Sequence, residues 1–382
     1  MRYEKKRNRM EIPLARPDIT EREIEAVVNV LRSPYLSLGP KLEEFEQRLA
    51  EYVGVKYAVV VNSGTSALHL IIKALKIGDN DEVITTPFSF VASANCILFE
   101  RATPVFVDID PLTLNIDPHL IDAQITDRTK AILAVDVFGH PAEWGRLREI
   151  AGEYDLRLIE DAAEALGAEY KGEKAGSLAD GAIFGFYPNK QITTGEGGAV
   201  LSDDKEMIEL CRSMRNQGRS NEDGWLEHSR LGYNYRLSDI NCALGIVQLE
   251  RVDELLGKRA RVAQFYNERL QEVEGIEIPY TSPDVRRGWF VYVIKLNDVF
   301  TKEARNKIIN ELREKGIECS NYFGPLHLQQ FYRDKFGYSE GNFPVTERIA
   351  ERTIALPFYG NITEKAIDYV CDNLRRLVKS GR

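Results

Sequence analysis

Six short runs between residues 55 and 201 are apolar on both faces: YAVVV (57–61), EVITT (82–86), PVFVD (104–108), AILAVDV (131–137), RLIE (157–160) and AIFGF (182–186). A run that is apolar at odd and even positions alike suits a strand covered on both sides, the usual state of a parallel sheet. Between these runs the spacing switches to that of a helix, as in SALHLIIKALKIG (66–78) and AEWGRLREIAGEY (142–154). The alternation predicts an α/β fold with a mostly parallel central sheet flanked by helices and functional groups at the strand ends. A single long helical stretch is expected over 238–270.

The pattern changes after Gly275. WFVYVIKL (289–296) reads as a strand, KEARNKIINELREKG (302–316) as an amphipathic helix closed by glycine, and TEKAIDYVCDNLRRLVKS (363–380) as a terminal amphipathic helix. Residues 11–250 are therefore assigned to a large domain and 251–382 to a smaller C-terminal α+β domain. The helix TEREIEAVVNVLRS (20–33) is expected to pack near the smaller one. Residues 1–10 begin basic and lack an apolar core. They read either as a disordered tail or as an extension upstream of a folded part that starts near Met10.

Composition removes several functions. A formal net charge of −9 leaves no bulk electrostatic case for nucleic acid. No apolar run approaches a membrane span. The five cysteines are scattered without CxxC pairs, which predicts free thiols and a cytoplasmic setting. The histidines show no metal-ligand spacing, so no metal is expected.

Four segments carry chemistry. In VVNSGTSALHL (60–70) a strand runs through Asn62-Ser63-Gly64-Thr65-Ser66 into a helix. Backbone amides, hydroxyls and the helix N-terminus there form a cup for an anion, although serine and threonine also serve as simple caps. In RLIEDAAEALGAEYKG (157–172) Asp161 ends an apolar strand, as a functional carboxylate or as a helix cap. In FGFYPNKQITTGEGGAV (184–200) Lys190 follows the next strand. It is either a solvated loop lysine or, if enclosed, an amine able to attack an aldehyde. In LGYNYRLSDINCALG (231–245) Asn234 and Arg236 precede a helix, where an arginine fork can hold phosphate or carboxylate or merely face solvent.

Together these are the groups that pyridoxal 5'-phosphate (PLP) requires: an anion cup for the phosphate, an amine for the aldehyde, a carboxylate for the ring nitrogen and a planar lid. The chain resembles the DegT/DnrJ/StrS family of PLP-dependent sugar-nucleotide aminotransferases. The likeness runs in order through IPLARPDIT (12–20), YLSLGPKLEEFE (35–46), NSGTSAL (62–68), FSFVASAN (88–95), ATPVFVDID (102–110), EDAAEALGA (160–168), NKQITTGEGG (189–198), LGYNYRLSDI (231–240), PLHLQQFY (325–332) and IALPFYGNIT (354–363).

The resemblance implies the fold-type-I aminotransferase architecture. Lys190 would be the Schiff-base lysine and Asp161 the partner of the pyridine nitrogen. Gly64, Thr65 and Ser66 match the phosphate cup, and Phe90 the ring-stacking aromatic. Glu164 stands where relatives often carry Gln or His near the cofactor. Asn234 and Arg236 match a segment that enters the neighbouring subunit's active site, which implies a homodimer with shared sites. Tyr322 and His327 fall in a region near the substrate. One position departs from the pattern: Gly185 stands where many relatives have a serine that bonds the cofactor phosphate, which leaves Asn189 as the substitute donor. The implied reaction moves an amino group from L-glutamate, released as 2-oxoglutarate, to a keto group of a nucleotide-linked deoxysugar. The wording of NKQITTGEGG and EDAAEA leans toward 4-keto over 3-keto sugars and toward perosamine synthase. The cofactor would cycle with pyridoxamine phosphate. Alternatives are a cyclitol or other ketone as substrate, or a non-catalytic sensor that keeps the fold. The dehydratases of the family carry histidine in place of the lysine, so Lys190 argues against that chemistry.

Overall fold

The computed structural model describes residues 10–220 and 227–381. The expected extension at residues 1–10 therefore lies outside the described residues except for Met10, which packs on the C-terminal core.

The central sheet has seven strands: β1 (Tyr57–Val61), β2 (Glu82–Thr85), β3 (Thr103–Phe106), β4 (Thr129–Val135), β5 (Arg157–Asp161), β8 (Gly181–Gly185) and β9 (Gly198–Ser202). The short pieces β6 (Glu169–Tyr170) and β7 (Glu173–Lys174) lie outside it. Its order is β1-β9-β8-β5-β4-β2-β3, with β9 antiparallel to both neighbours and every other pairing parallel. The α/β expectation and the mostly parallel sheet are thus met. Adjacent residues of one strand feed opposite cores. Val59 and Val61 join one apolar cluster with Leu68, Ile71 and Met207, whereas Val60 faces Phe45, Leu49 and Ile246 on the other side.

The helices of the first part are α1 (Glu21–Leu31), α2 (Pro40–Val53), α3 (Gly64–Ala74), α4 (Ala92–Phe99), α5 (Trp144–Tyr154), α6 (Lys205–Arg215) and α7 (Asp239–Glu250). Helix α3 starts where it does because Ser63 caps it, its hydroxyl accepting the Ser66 amide at 3.1 Å. Helix α1 opens with a full capping box between Thr20 and Glu23.

One expectation is corrected. The stretch 238–270 is not one helix: α7 ends at Glu250, Arg251 leaves helical geometry, and α8 (Val252–Leu270) begins. The Arg251 guanidinium is taken up by Glu23 (2.6 Å), Asp18 (3.0 Å) and Glu254 (3.1 Å), which anchors the junction. Helix α1 lies along α7, with Arg22 reaching Glu250 at 2.8 Å, and through Glu23 it also meets Arg251, the first residue assigned to the C-terminal domain.

The C-terminal part holds β10 (Ile276–Glu277), β11 (Val285–Arg286), β12 (Tyr292–Leu296), α9 (Lys302–Glu314), α10 (Gln330–Phe336), α11 (Pro344–Ala350), β13 (Thr353–Leu356) and α12 (Glu364–Ser380). A three-stranded antiparallel sheet, β10-β12-β13, packs with α8, α9 and α12 around Tyr266, Tyr292, Leu312 and Leu374. Ile12 joins this core, pairing with Ile317. Among the described residues no helix is long and apolar enough to cross a membrane. All five cysteines are buried and free.

Candidate active site

The carboxyl ends of β1, β5 and β8 bring the sequence motifs together. Strands β5 and β8 are neighbours, with Asp161 opposite Ile183, so Asp161 and the loop carrying Lys190 leave the same edge. Gly185 ends β8 at the centre. A Cβ placed there would meet Ala163 Cβ at 3.5 Å and Lys190 Cε at 4.0 Å, and a Cβ on Gly64 would meet the Gly185 Cα at 3.5 Å. These are ordinary van der Waals distances, and they show how closely the cup, the aspartate turn and the lysine gather around these two glycines. Gly198 is tighter still: a Cβ on it would lie 2.6 Å from the Gly64 amide nitrogen.

Lys190 is enclosed. Its Nζ lies 3.6 Å from Glu164 Oε1 and 3.9 Å from the Phe290 ring centroid. Burial pushes the amine below its ordinary pKa, while Glu164 and Asp161 pull it back up. The two carboxylates show the mirror effect: burial raises both, and Lys190 opposes the rise. Asp161 is held by the Ser93 hydroxyl at 2.7 Å and the Ala163 amide at 3.2 Å. Glu164 accepts the Phe138 amide at 2.9 Å.

The Lys190 loop is fixed from behind. Arg259 on α8 donates to the carbonyls of Lys190 (2.7 Å), Asn189 (3.2 Å) and Phe290 (3.1 Å). Gln191 Nε2 donates to the carbonyls of Glu164 and Gly288, each at 2.6 Å. Asn189 keeps a buried side-chain Oδ1 without a partner. The Lys190 loop is thus wired both to the aspartate turn and to the segment entering β12.

The remaining predicted residues divide. Gly64 and Thr65 occupy the first turn of α3, where backbone amides have no intrahelical acceptor. The Ser66 hydroxyl is already engaged, bonding Asn62 Oδ1 at 2.7 Å, so it serves the cap from within. Phe90 is 61 % exposed, with its ring free of the core. Asn234 is exposed and Arg236 half-buried, on a segment laid against the end of β1: the Asn62 amide donates to the Tyr235 carbonyl at 2.9 Å, and Arg236 reaches Asn216 at 3.0 Å. His69 and Glu100 anchor that segment through the Tyr235 and Tyr233 hydroxyls at 3.0 Å and 3.3 Å. Tyr322 stacks on Phe323, 5.3 Å between centroids, and its phenol is pushed up first by burial and then by the nearby Glu164 carboxylate.

His327 does not fit the expected place beside a substrate. It is 0 % exposed, its Nε2 bonds Glu347 at 2.9 Å, and Phe343 and Tyr338 pack against its ring. As folded, it presents no surface to a ligand. The motif spacing hid this, because burial of a histidine depends on what folds over it.

The profile described as the DegT/DnrJ/EryC1/StrS aminotransferase family matches residues 17–375. The chain belongs to that family. GDP-perosamine synthase from Caulobacter vibrioides is 37% identical over 362 residues, covering 94% of this chain and 96% of its own. PseC from Helicobacter pylori, an aminotransferase involved in the biosynthesis of pseudoaminic acid, superposes with a TM-score of 0.93 at 31% identity, covering 97% of this chain and 100% of its own. Spr1654 from Streptococcus pneumoniae, solved in a PLP form, gives 0.93 at 31% identity over 98% of this chain and 100% of its own. A PMP form of the same protein gives 0.93 as well.

The protein is therefore a PLP-dependent aminotransferase of the fold-type-I architecture, and its donor set suits the cofactor. A buried amine stands ready for an aldehyde, a buried carboxylate for a ring nitrogen, and an open helix N-terminus for a phosphate. Three polar anchors of this site, Ser93, Arg259 and Gln191, were not singled out from sequence. Ser93 lay within the quoted motif FSFVASAN, and Gln191 directly follows the lysine, but nothing local marks their partners.

Proposed function

We propose that the enzyme transfers an amino group from L-glutamate to a nucleotide-linked keto-deoxysugar, with the 4-keto position preferred. The sugar class rests on the relatives: a GDP-perosamine synthase, a pseudoaminic acid aminotransferase and the spore coat polysaccharide biosynthesis protein SpsC of Bacillus subtilis, 37% identical over 386 residues. The observation that carries the chemistry is the Lys190 amine, buried 3.6 Å from Glu164 on the edge that also bears Asp161.

Bound PLP supplies an aldehyde that receives the amino group and a ring that delocalises the electron pair left on carbon. The chain does the rest. Lys190 Nζ, its pKa lowered by burial, takes and returns the proton exchanged between the two carbons. Asp161 holds a proton at the ring nitrogen. The amides of Gly64 and Thr65 bind the phosphate, and Asn189 adds a side-chain contact beside Gly185. Phe90 covers one ring face. Glutamate leaves as 2-oxoglutarate and the ketone leaves as an amine, so each turnover balances without an external oxidant. Tyr322 lines the sugar side. Asn234 and Arg236 complete the site of a second copy, which makes the working unit a homodimer in the cytoplasm.

The test is incubation with L-glutamate and a panel of 3-keto and 4-keto nucleotide sugars, scored by mass. Conversion of a keto sugar to its amine is expected, fastest for a 4-keto member. No amine from any member refutes the sugar reading. Lys190→Ala is expected to lose the visible absorbance of bound cofactor and all turnover.

A further inference from the structure

The turn that presents Phe90 outward also buries two serines behind it. Ser93, on the first turn of α4, donates to Asp161 Oδ2 at 2.7 Å. Ser89 lies 2.9 Å from Ser93, oxygen to oxygen. Ser93 has a single hydroxyl proton, and Asp161 takes it, so the second contact runs from the Ser89 hydroxyl to Ser93 Oγ. The result is a one-way chain of donors, Ser89 to Ser93 to Asp161, inside a region where the three residues are 4 %, 1 % and 4 % exposed.

Its position gives it a task. Burial alone favours a neutral Asp161, which could not hold a proton on a ring nitrogen by charge. The groups facing the carboxyl are Lys190 and Glu164 from the site, the Ala163 amide from its own turn, and Cys96 from α4. Of these, Glu164 and Cys96 add no donor, and Lys190 must surrender charge during turnover. Ser93 is the side-chain hydrogen-bond donor committed to the carboxylate throughout. In a water-poor site a chain of donors polarised toward an anion strengthens each link.

We propose that Ser93 is a positioning residue for the transamination, supported by Ser89: the pair keeps Asp161 ionised and fixes its orientation toward the cofactor ring. This rests on the assignment of Asp161 as the ring-nitrogen partner. The same turn then builds two sides of the cofactor site, with Phe90 for the ring face and Ser89/Ser93 for the electronics of the ring nitrogen.

The experiment compares Ser93→Ala, Ser93→Thr, Ser89→Ala and Asp161→Asn in the full-length holoenzyme, reading kcat, KM for the keto sugar, and the PLP dissociation constant between pH 6 and 9. Ser93→Ala is expected to lower kcat and weaken PLP binding by about tenfold or more, the range that one hydrogen bond to a charged group supplies. KM should stay unchanged, and the PLP affinity curve should move to higher pH as Asp161 becomes harder to ionise. Ser93→Thr should restore both, and Ser89→Ala should act in the same direction but less. Wild-type values in Ser93→Ala beside a crippled Asp161→Asn would overturn the relay alone. Wild-type values in both would overturn the Asp161 assignment itself. A general loss of melting temperature with no kcat-against-KM split and no pH shift would make Ser93 structural and also overturn the proposal. If Ser93→Ala does not fold, Ser89→Ala and Ser93→Cys carry the same readings, and wild-type kinetics and pH profile in both would refute the relay.

Discussion

Replacing Arg259 by methionine tests whether the lysine loop is held from behind as the structure indicates. The guanidinium is buried, donates to three backbone carbonyls at 2.7, 3.1 and 3.2 Å, and lies over Phe358. Hydrogen bonds from a charged donor contribute about 2 kcal/mol each, or about 6 kcal/mol for the three. Burial works against this. It brings the guanidinium down to about 10, still fully charged at neutral pH, and that lowering amounts to about 3 kcal/mol against the charged form. The net is about 3 kcal/mol in favour of Arg259. Methionine keeps the apolar stem over Phe358 and removes all three donors. Urea unfolding of Arg259→Met should give a midpoint equivalent to about 3 kcal/mol of lost stability at an unchanged slope. Because two of the bonds end on Asn189 and Lys190, the rate of PLP release should rise as well. A loss under about 1 kcal/mol together with unchanged release would refute the reasoning, since the loop would then be held by Gln191 alone.

Three further outcomes are expected. Glu164→Gln removes the carboxylate 3.6 Å from Lys190 Nζ, so the amine should lose its proton more readily; capture of PLP by the apoenzyme should reach half its maximal rate at lower pH, and an unshifted profile would count against the pairing. Gly185→Ser should be tolerated, because the new Cβ meets nothing nearer than 3.5 Å; its hydroxyl beside Gly64 should tighten PLP binding by about tenfold, the size of one bond to a charged phosphate, and weaker binding would show that Asn189 already fills that place. Asp136 and Glu160 are buried acids close enough to act on each other, with burial raising both: Glu160 is pushed up to about 7 and Asp136 is raised as well. Acids that hold protons more tightly when folded stabilise the fold at low pH and lose that contribution as pH rises through about 7. Asp136→Asn, which removes one of the two acids, should therefore be more stable than wild type at pH 8 and little changed at pH 5. Denaturant midpoints with the same pH dependence as wild type would refute it.

What could be read from the chain and what could not separate along a physical line. Strand β1 was placed to the residue, and β2, β5 and β8 to within one, because a strand buried on both faces is apolar at most of its positions, odd and even alike. Asp161 and Lys190 were legible because each follows such a strand, and the chain direction alone puts both at one edge. The residues that escaped are polar ones whose partners lie far along the chain. Ser93 meets Asp161 across 68 positions, Arg259 meets Lys190 across 69, and Arg251 meets Glu23 across 228. Arg259 sits in KRARV, a run whose charge reads as a solvated helix face, yet it points inward. Arg251 sits between two stretches with good helical spacing, and a one-residue break leaves the period almost untouched. His327 is the opposite case: its motif carries no sign of the burial under Phe343 and Tyr338. Local pattern records which residues must leave water. It does not record which buried polar group will be given a partner, and in this site those partners are what hold the Asp161 carboxylate and the Lys190 loop in place.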